Sequence, residues 1–178
     1  MRKMWATAAI IPVLIIAIFV TGCGNKPTSS KQGKEPVTIE RVVDGDTVEI
    51  TMAGKKEKIR LIGIDTPETK KPNKPVMFYG NEAYEYTKKR LEKKAVELEW
   101  DVEQRDQYGR LLAYVWVGKE LFNRTLVQEG YARIYTFPPN VKYVSEFKKD
   151  QEAARKKGIG LWKDYDSAFE KRKGKEED

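Results

Sequence analysis

The chain contains no histidine and only one cysteine, Cys23, among its 178 residues. The first absence removes Ser-His-Asp and Cys-His nucleophilic catalysis, histidine-ligated zinc, and any hydrolysis that uses imidazole as base. The second removes an intrachain disulfide. Catalysis, if there is any, must run on carboxylates, Arg, Lys and Tyr, with an oxygen-ligated metal at most. Apolar matter is not lacking: 40% of the residues are apolar, with 4 Trp, 9 Tyr and 6 Phe, which excludes wholesale disorder. Lys plus Arg is 34 against 27 Asp plus Glu, a net charge of +7. The length suits one domain with appendages.

The first appendage reads as an address. Arg2 and Lys3 precede an uncharged, largely apolar run from Trp5 to Val20, somewhat short for a spanning helix. Val20-Thr21-Gly22-Cys23 resembles the lipobox of bacterial lipoproteins. In that motif the Cys takes a diacylglyceryl group and becomes the first residue after cleavage. The other reading is a plain N-terminal anchor with an idle thiol. The lone Cys stands at the one position the motif needs, which favours the lipobox. Residues 1–22 are then a lipoprotein signal peptide. The mature chain is held to the cell membrane by lipid on Cys23, on the extracytoplasmic face. Residues 23–36 are polar, with Gly, Ser, Pro and Lys, and form a flexible tether. Residues 170–178 are a charged tail, which leaves 37–169 as the globular domain. There is no internal repeat.

Within that domain, Val37–Val43 is rich in β-branched residues, and Thr47–Met52 and Lys58–Ile64 alternate. Turns at Asp44-Gly45 and Gly54-Lys55 join them into a meander. Asn81 is expected to cap a helix running from Glu82 to Lys94. Val96, Leu98, Trp100 and Val102 alternate with acids, the mark of a half-buried strand. Arg110–Val117 is apolar on both faces and should be central. Leu121–Glu129 is a helix stopped by Gly130, Tyr131–Thr136 is short and extended, and Val141–Lys157 is a helix closed by Gly158. The order predicts an α+β fold, a five-stranded OB-type barrel with three packed helices.

Three acidic stretches lie at strand ends: Asp44-Gly45-Asp46-Thr47, Asp65-Thr66-Pro67-Glu68 and Asp106-Gln107-Tyr108-Gly109-Arg110. Singly, each is an ordinary turn or cap. Together they bring carboxylates to loops at the barrel ends, beside Arg60 and Arg110 on otherwise apolar strands. With no imidazole available, Ca²⁺ or Mg²⁺ is the metal chemistry left. Two arginines suit an anionic phosphate, because a planar guanidinium can clamp two oxygens. The other basic runs, Lys88-Lys89-Arg90 with Lys93-Lys94 and Lys148-Lys149 with Arg155-Lys156-Lys157, read as solvated helix faces.

VDGDTV, RLIGIDTPETK, YGNEA, YGRLLAYV and LVQEGYARIY, in this order and spacing, resemble the thermonuclease (staphylococcal-nuclease-like) family over about Glu35 to Tyr165. The resemblance implies hydrolysis of DNA and RNA with Ca²⁺, leaving 3′-phosphate ends, by a monomer. It implies that Asp46, Asp65 and the Thr66 carbonyl hold the ion and that Glu68 positions or deprotonates the attacking water. Arg60 and Arg110 grip the scissile phosphate, Tyr108 and Tyr135 meet the terminal phosphate and sugar, and Lys74 lies on a loop facing the substrate. Asp44 also matches the family but is assigned to its turn. Gln107 and Phe137 stand where the family pattern has Lys and Tyr, which lowers the phosphate affinity expected there and removes a hydroxyl. The alternative is a catalytically silent OB-type module that binds nucleic acid at the cell surface. A silent relative is expected to have lost the carboxylates or arginines that are all present here.

Overall fold

The computed structural model of the chain describes residues 33–69 and 76–169. Cys23, Lys74 and the charged tail lie outside the described residues. The elements run β1 (Glu35–Thr38), β2 (Arg41–Asp44), β3 (Thr47–Met52), β4 (Lys55–Leu61), β5 (Ile64–Asp65), α1 (Gly80–Leu91), β6 (Ala95–Glu99), β7 (Leu111–Val117) and β8 (Glu120–Leu121). They continue with α2 (Phe122–Gln128), β9 (Arg133–Ile134), α3 (Val144–Lys157), a 3₁₀ turn (Gly160–Lys163) and α4 (Tyr165–Phe169).

Alternation makes the strands. On β3, Val48 and Ile50 are buried while Thr51 is exposed; on β4, Ile59 and Leu61 are buried while Lys56 and Lys58 are exposed. Ala53 and Gly54 join these strands with φ of 49° and 76°, the left-handed pair that a two-residue hairpin requires. The main sheet runs β1-β6-β7-β4-β3-β2, with β4 and β7 parallel. Its two ends belong to one bent stretch of chain. At the bend, the Ile39 N–H donates to the Lys94 carbonyl at 3.0 Å and the Glu40 N–H to the Glu49 carbonyl at 2.9 Å. The sheet thereby curls back on itself, with five long segments as expected: β1/β2, β3, β4, β6 and β7. Its interior is filled by residues such as Val42, Ile50, Ile59, Leu98, Phe122 and Phe147. A smaller cluster of Leu161, Ala168 and Phe169 lies under the C-terminal turns.

Several boundaries differ from expectation. β1 begins at Glu35, within the stretch read as tether, because Glu35 and Pro36 pair with Leu98 and Glu97. Asn81 is not the cap of α1. Tyr79 holds that place with φ 64° and no side-chain bond to the helix. Met77 and Gly80 are tied down by the Glu68 and Met77 carbonyls, which sets the helix start without a polar cap. α1 ends at Leu91, where Lys93 turns left-handed with φ 61°. Val102 is 73% exposed, beyond the end of β6. There Asp101 accepts the Val102 N–H at 2.9 Å and the Tyr114 hydroxyl at 3.0 Å, turning the chain away from the sheet. β7 begins at Leu111, and α4 is a fourth helix, too short to show a period.

Candidate active site

A cavity of about 980 Å³ opens at one side of the barrel, lined by residues from β2 through β5, the loop before β7, and the stretch after β9. The hairpin and the parallel pairing build it. The register sets Thr47 against Arg60 across β3 and β4, and Ile59 against Leu111 across β4 and β7. All three acidic stretches therefore meet at one opening. Asp44, Asp46, Asp65, Thr66, Glu68, Asp106, Tyr108 and Tyr135 line it, together with Arg60 and Arg110.

Asp46 and Asp65 are 6% and 7% exposed, and both carboxylates converge on one nitrogen. Arg60 Nη2 lies 3.0 Å from Asp46 Oδ2 and 3.2 Å from Asp65 Oδ1. Arg60 Nη1 donates to the carbonyls of Leu61 at 2.9 Å and Ile64 at 2.8 Å, which fixes the guanidinium against the wall. Asp46 also accepts the Thr66 N–H at 3.0 Å and the Thr47 hydroxyl at 2.9 Å. Gly45 permits this crossing. A Cβ on it would lie 2.7 Å from Thr66 Oγ1.

Asp44 does more than turn the chain. Its Oδ1 accepts the Gly45 N–H and the Thr69 hydroxyl, each at 2.8 Å. Burial, a hydrogen bond shared with the Glu68 carboxyl and the nearby charge of Asp46 push the Asp44 carboxyl up to about 7. Asp44 and Glu68 thus meet carboxyl to carboxyl at the cavity wall. Arg110 is held by its own loop, with Nε donating to Asp106 Oδ2 at 2.7 Å. Tyr108, 76% exposed, has its ring 5.6 Å from that guanidinium. Tyr135 and Phe137 are 45% and 64% exposed and meet edge to face at 4.7 Å. These are aromatic faces open to a planar ligand. Gly63 shapes the floor with φ 81°, and a Cβ there would lie 2.9 Å from the Phe147 ring.

The donor set suits a hard cation in kind: two buried carboxylates and a threonine whose buried Oγ1 has no hydrogen-bond partner among the described residues. Among those residues no three acids form a complete ligand group, so water or substrate oxygens would have to complete a coordination shell. One residue that holds a carboxylate of the site without lining the cavity is not singled out by the sequence. Arg133 donates to Asp65 Oδ2 from Nη2 at 3.0 Å and from Nε at 3.2 Å, and its Nη1 meets the Tyr165 hydroxyl at 3.1 Å. The signal was a cation inside the apolar run of LVQEGYARIY.

A family model described as staphylococcal nuclease homologue matches residues 58–164. The thermonuclease of Staphylococcus intermedius is 43% identical over 166 residues, spanning 91% of this chain and 99% of that protein. The chain belongs to the staphylococcal nuclease family. The nuclease-family likeness extends to the thermonuclease of Staphylococcus hyicus, 41% identical over 91% of this chain and 99% of that one. It also reaches endonuclease YncB of Bacillus subtilis (strain 168), 42% identical over 76% of this chain and 66% of that one. The mixed barrel and flanking helices are this family's α+β fold.

Proposed function

We propose that the protein is a Ca²⁺-dependent nuclease that hydrolyses DNA and RNA to products with 3′-phosphate ends. The chain is a phosphodiester hydrolase of the nuclease family. The observation that supports the finer reading is the meeting of Asp46, Asp65, Thr66, Glu68, Arg60 and Arg110 around one cavity, in a chain with no histidine to serve as base. Ca²⁺ bound by Asp46, Asp65 and the Thr66 carbonyl would supply positive charge to the phosphate and hold a water near it. Glu68 would accept a proton from a water attacking phosphorus; the bond from phosphorus to the 5′ oxygen breaks, and that oxygen leaves as a hydroxyl after taking a proton from solvent. Arg110, braced by Asp106, and Arg60, braced by two carbonyls, donate to the phosphate oxygens as their charge grows. Tyr108 and Tyr135 hold the terminal phosphate and sugar, and Lys74 adds positive charge for the substrate. The lipid anchor at Cys23 and an extracytoplasmic location are part of the same reading, and a monomer suffices for it.

The test is cleavage of plasmid DNA and of RNA by the full chain with Ca²⁺, with Mg²⁺ or with chelator. Ca²⁺ tolerates a loose shell at about 2.3–2.6 Å, whereas Mg²⁺ demands a near-ideal octahedron at about 2.0–2.1 Å. Cleavage with Ca²⁺, little with Mg²⁺ and none in chelator is expected, with 3′-phosphate on the product ends. Full activity in chelator overturns the metal reading. Lipid labelling of the wild type that persists in Cys23→Ser would overturn the anchor alone.

A further inference from the structure

Three cations line the cavity among the described residues: Arg60, Arg110 and Lys58. The two arginines are tied to carboxylates, Arg60 to Asp46 and Asp65 and Arg110 to Asp106. Lys58 is exposed and makes no hydrogen bond or ion pair among the described residues. It lies two residues before Arg60 on β4, so both side chains leave the same, outer face of the strand. In the parallel register that pairs Ile59 with Leu111, Lys58 falls beside Arg110, at the mouth of the cavity. Lys56 is the next outward residue on the same strand, about 6.8 Å further along, and it too is exposed.

Two carboxylates lie close by, and each is already taken. Glu49 is the cross-strand neighbour of Lys58 and feels both lysines, but it is hydrogen-bonded to Arg41 at 2.9 Å. Glu57 is held by Arg105 at 2.9 and 3.0 Å. Lys56 shares a shallow cleft with Glu40, Glu49 and Glu92, in which Arg41 and Lys93 are the other cations. Among the described residues of the cavity lining, Lys58 is therefore the cation that no carboxylate holds, and Lys56 follows it along the strand. The expected basic runs on α1 and α3 contribute no residue to the cavity lining.

We infer that Lys58, followed by Lys56, forms a phosphate track that carries a single-stranded polynucleotide along the outer face of β4 from the catalytic cavity. The inference rests on the nuclease reading and extends it from the cleaved linkage to the strand beyond it. The exposed faces of Tyr108, Tyr135 and Phe137 suit unstacked bases, which favours a single strand over a duplex. A track of point charges adds affinity with length and carries no base preference.

Each phosphate neutralised on a single strand adds about 0.7 to the slope of log affinity against log salt. The experiment compares the full-length wild type with Lys56→Gln/Lys58→Gln and Lys56→Arg/Lys58→Arg. Binding to a 20-nucleotide single strand and to a dinucleotide is measured across a salt series. The Gln pair should lose roughly 1.4 of slope on the long strand, with several-fold weaker affinity at low salt that converges on wild type as salt rises. KM for the long strand should rise more than kcat falls, and the loss on the dinucleotide should be much smaller. The Arg pair should restore the wild-type slope. An unchanged slope in the Gln pair, or an equal loss on both lengths, overturns the track. So does a loss of binding to anionic phosphatidylglycerol vesicles with polynucleotide binding intact, which would make the lysines a membrane contact. A wild type that neither binds nor cuts either substrate would instead overturn the nuclease reading beneath it.

Discussion

The interior of the barrel and the wall of its cavity are built on opposite rules. Inside, apolar side chains dominate, Ile50, Ile59, Leu98 and Phe122 have no exposed surface, and the buried Thr87 and Asn123 are hydrogen-bonded. At the wall, Asp46, Thr47, Asp65 and Thr66 are buried to 7% exposure or less, and both acids are met by Arg60. Burying apolar surface stabilises a fold by roughly 25 cal/mol per Å². Burying a carboxylate costs several kcal/mol before its partners offset it. The interior therefore supplies the stability that the wall consumes, and damage to the two regions should show in different measurements.

The sharpest test of that division is Glu68→Gln. The amide keeps size and hydrogen bonding but cannot take the proton, so turnover should fall by about 10²–10⁴-fold. The unfolding midpoint should barely move, and steady-state kinetics with thermal melting checks both. Phe147→Ala is the converse. Its ring is 1% exposed and packs under Gly63, so the substitution should cost about 3–5 kcal/mol in urea unfolding while leaving far more turnover than Glu68→Gln at a temperature where it is folded. Equal losses of turnover in the two variants would break the comparison.

The smallest effect lies at a third place, the joint between β6 and the start of α3. Burial works against the charge on Glu99, but Lys142, Trp116 and Tyr143 outweigh it and hold the carboxyl below its usual 4.5. A folded-state value below the unfolded one contributes stability above the unfolded value, lost as pH falls through the folded one. Below about pH 4.5 the wild type should therefore lose melting temperature more steeply than Glu99→Gln. Parallel curves would show that the joint contributes nothing.

Much of the barrel was legible from alternation, because β3, β4 and β6 each show one face to water. The candidate wall residues were legible because turn chemistry and the family motifs coincide at Asp46, Asp65 and Glu68. What local pattern could not show depends on pairing across the chain. The parallel register of β4 with β7 joins residues about fifty positions apart and leaves no trace in either strand. Arg133 sits in an extended run and comes to hold the wall residue Asp65 only because β9 pairs with β5, setting the two opposite each other. Tyr79 starts α1 through a left-handed backbone, which no capping side chain announces. The grip of Asp106 on Arg110 is local, four residues apart, and was open to a closer reading.

The bend at Ile39 and Glu40 has a further consequence. Because one segment pairs with β6 on its first half and with β3 on its second, the main sheet ends where it began. A sheet that ends elsewhere displays a row of unpaired N–H and C=O groups, a template on which another chain can add a strand. Here the two end strands run into one another, and the N–H groups of Ile39 and Glu40 at the joint are paired within the molecule. A nuclease that works beside long extended polymers gains from this, since at the bend its own backbone donors are already taken.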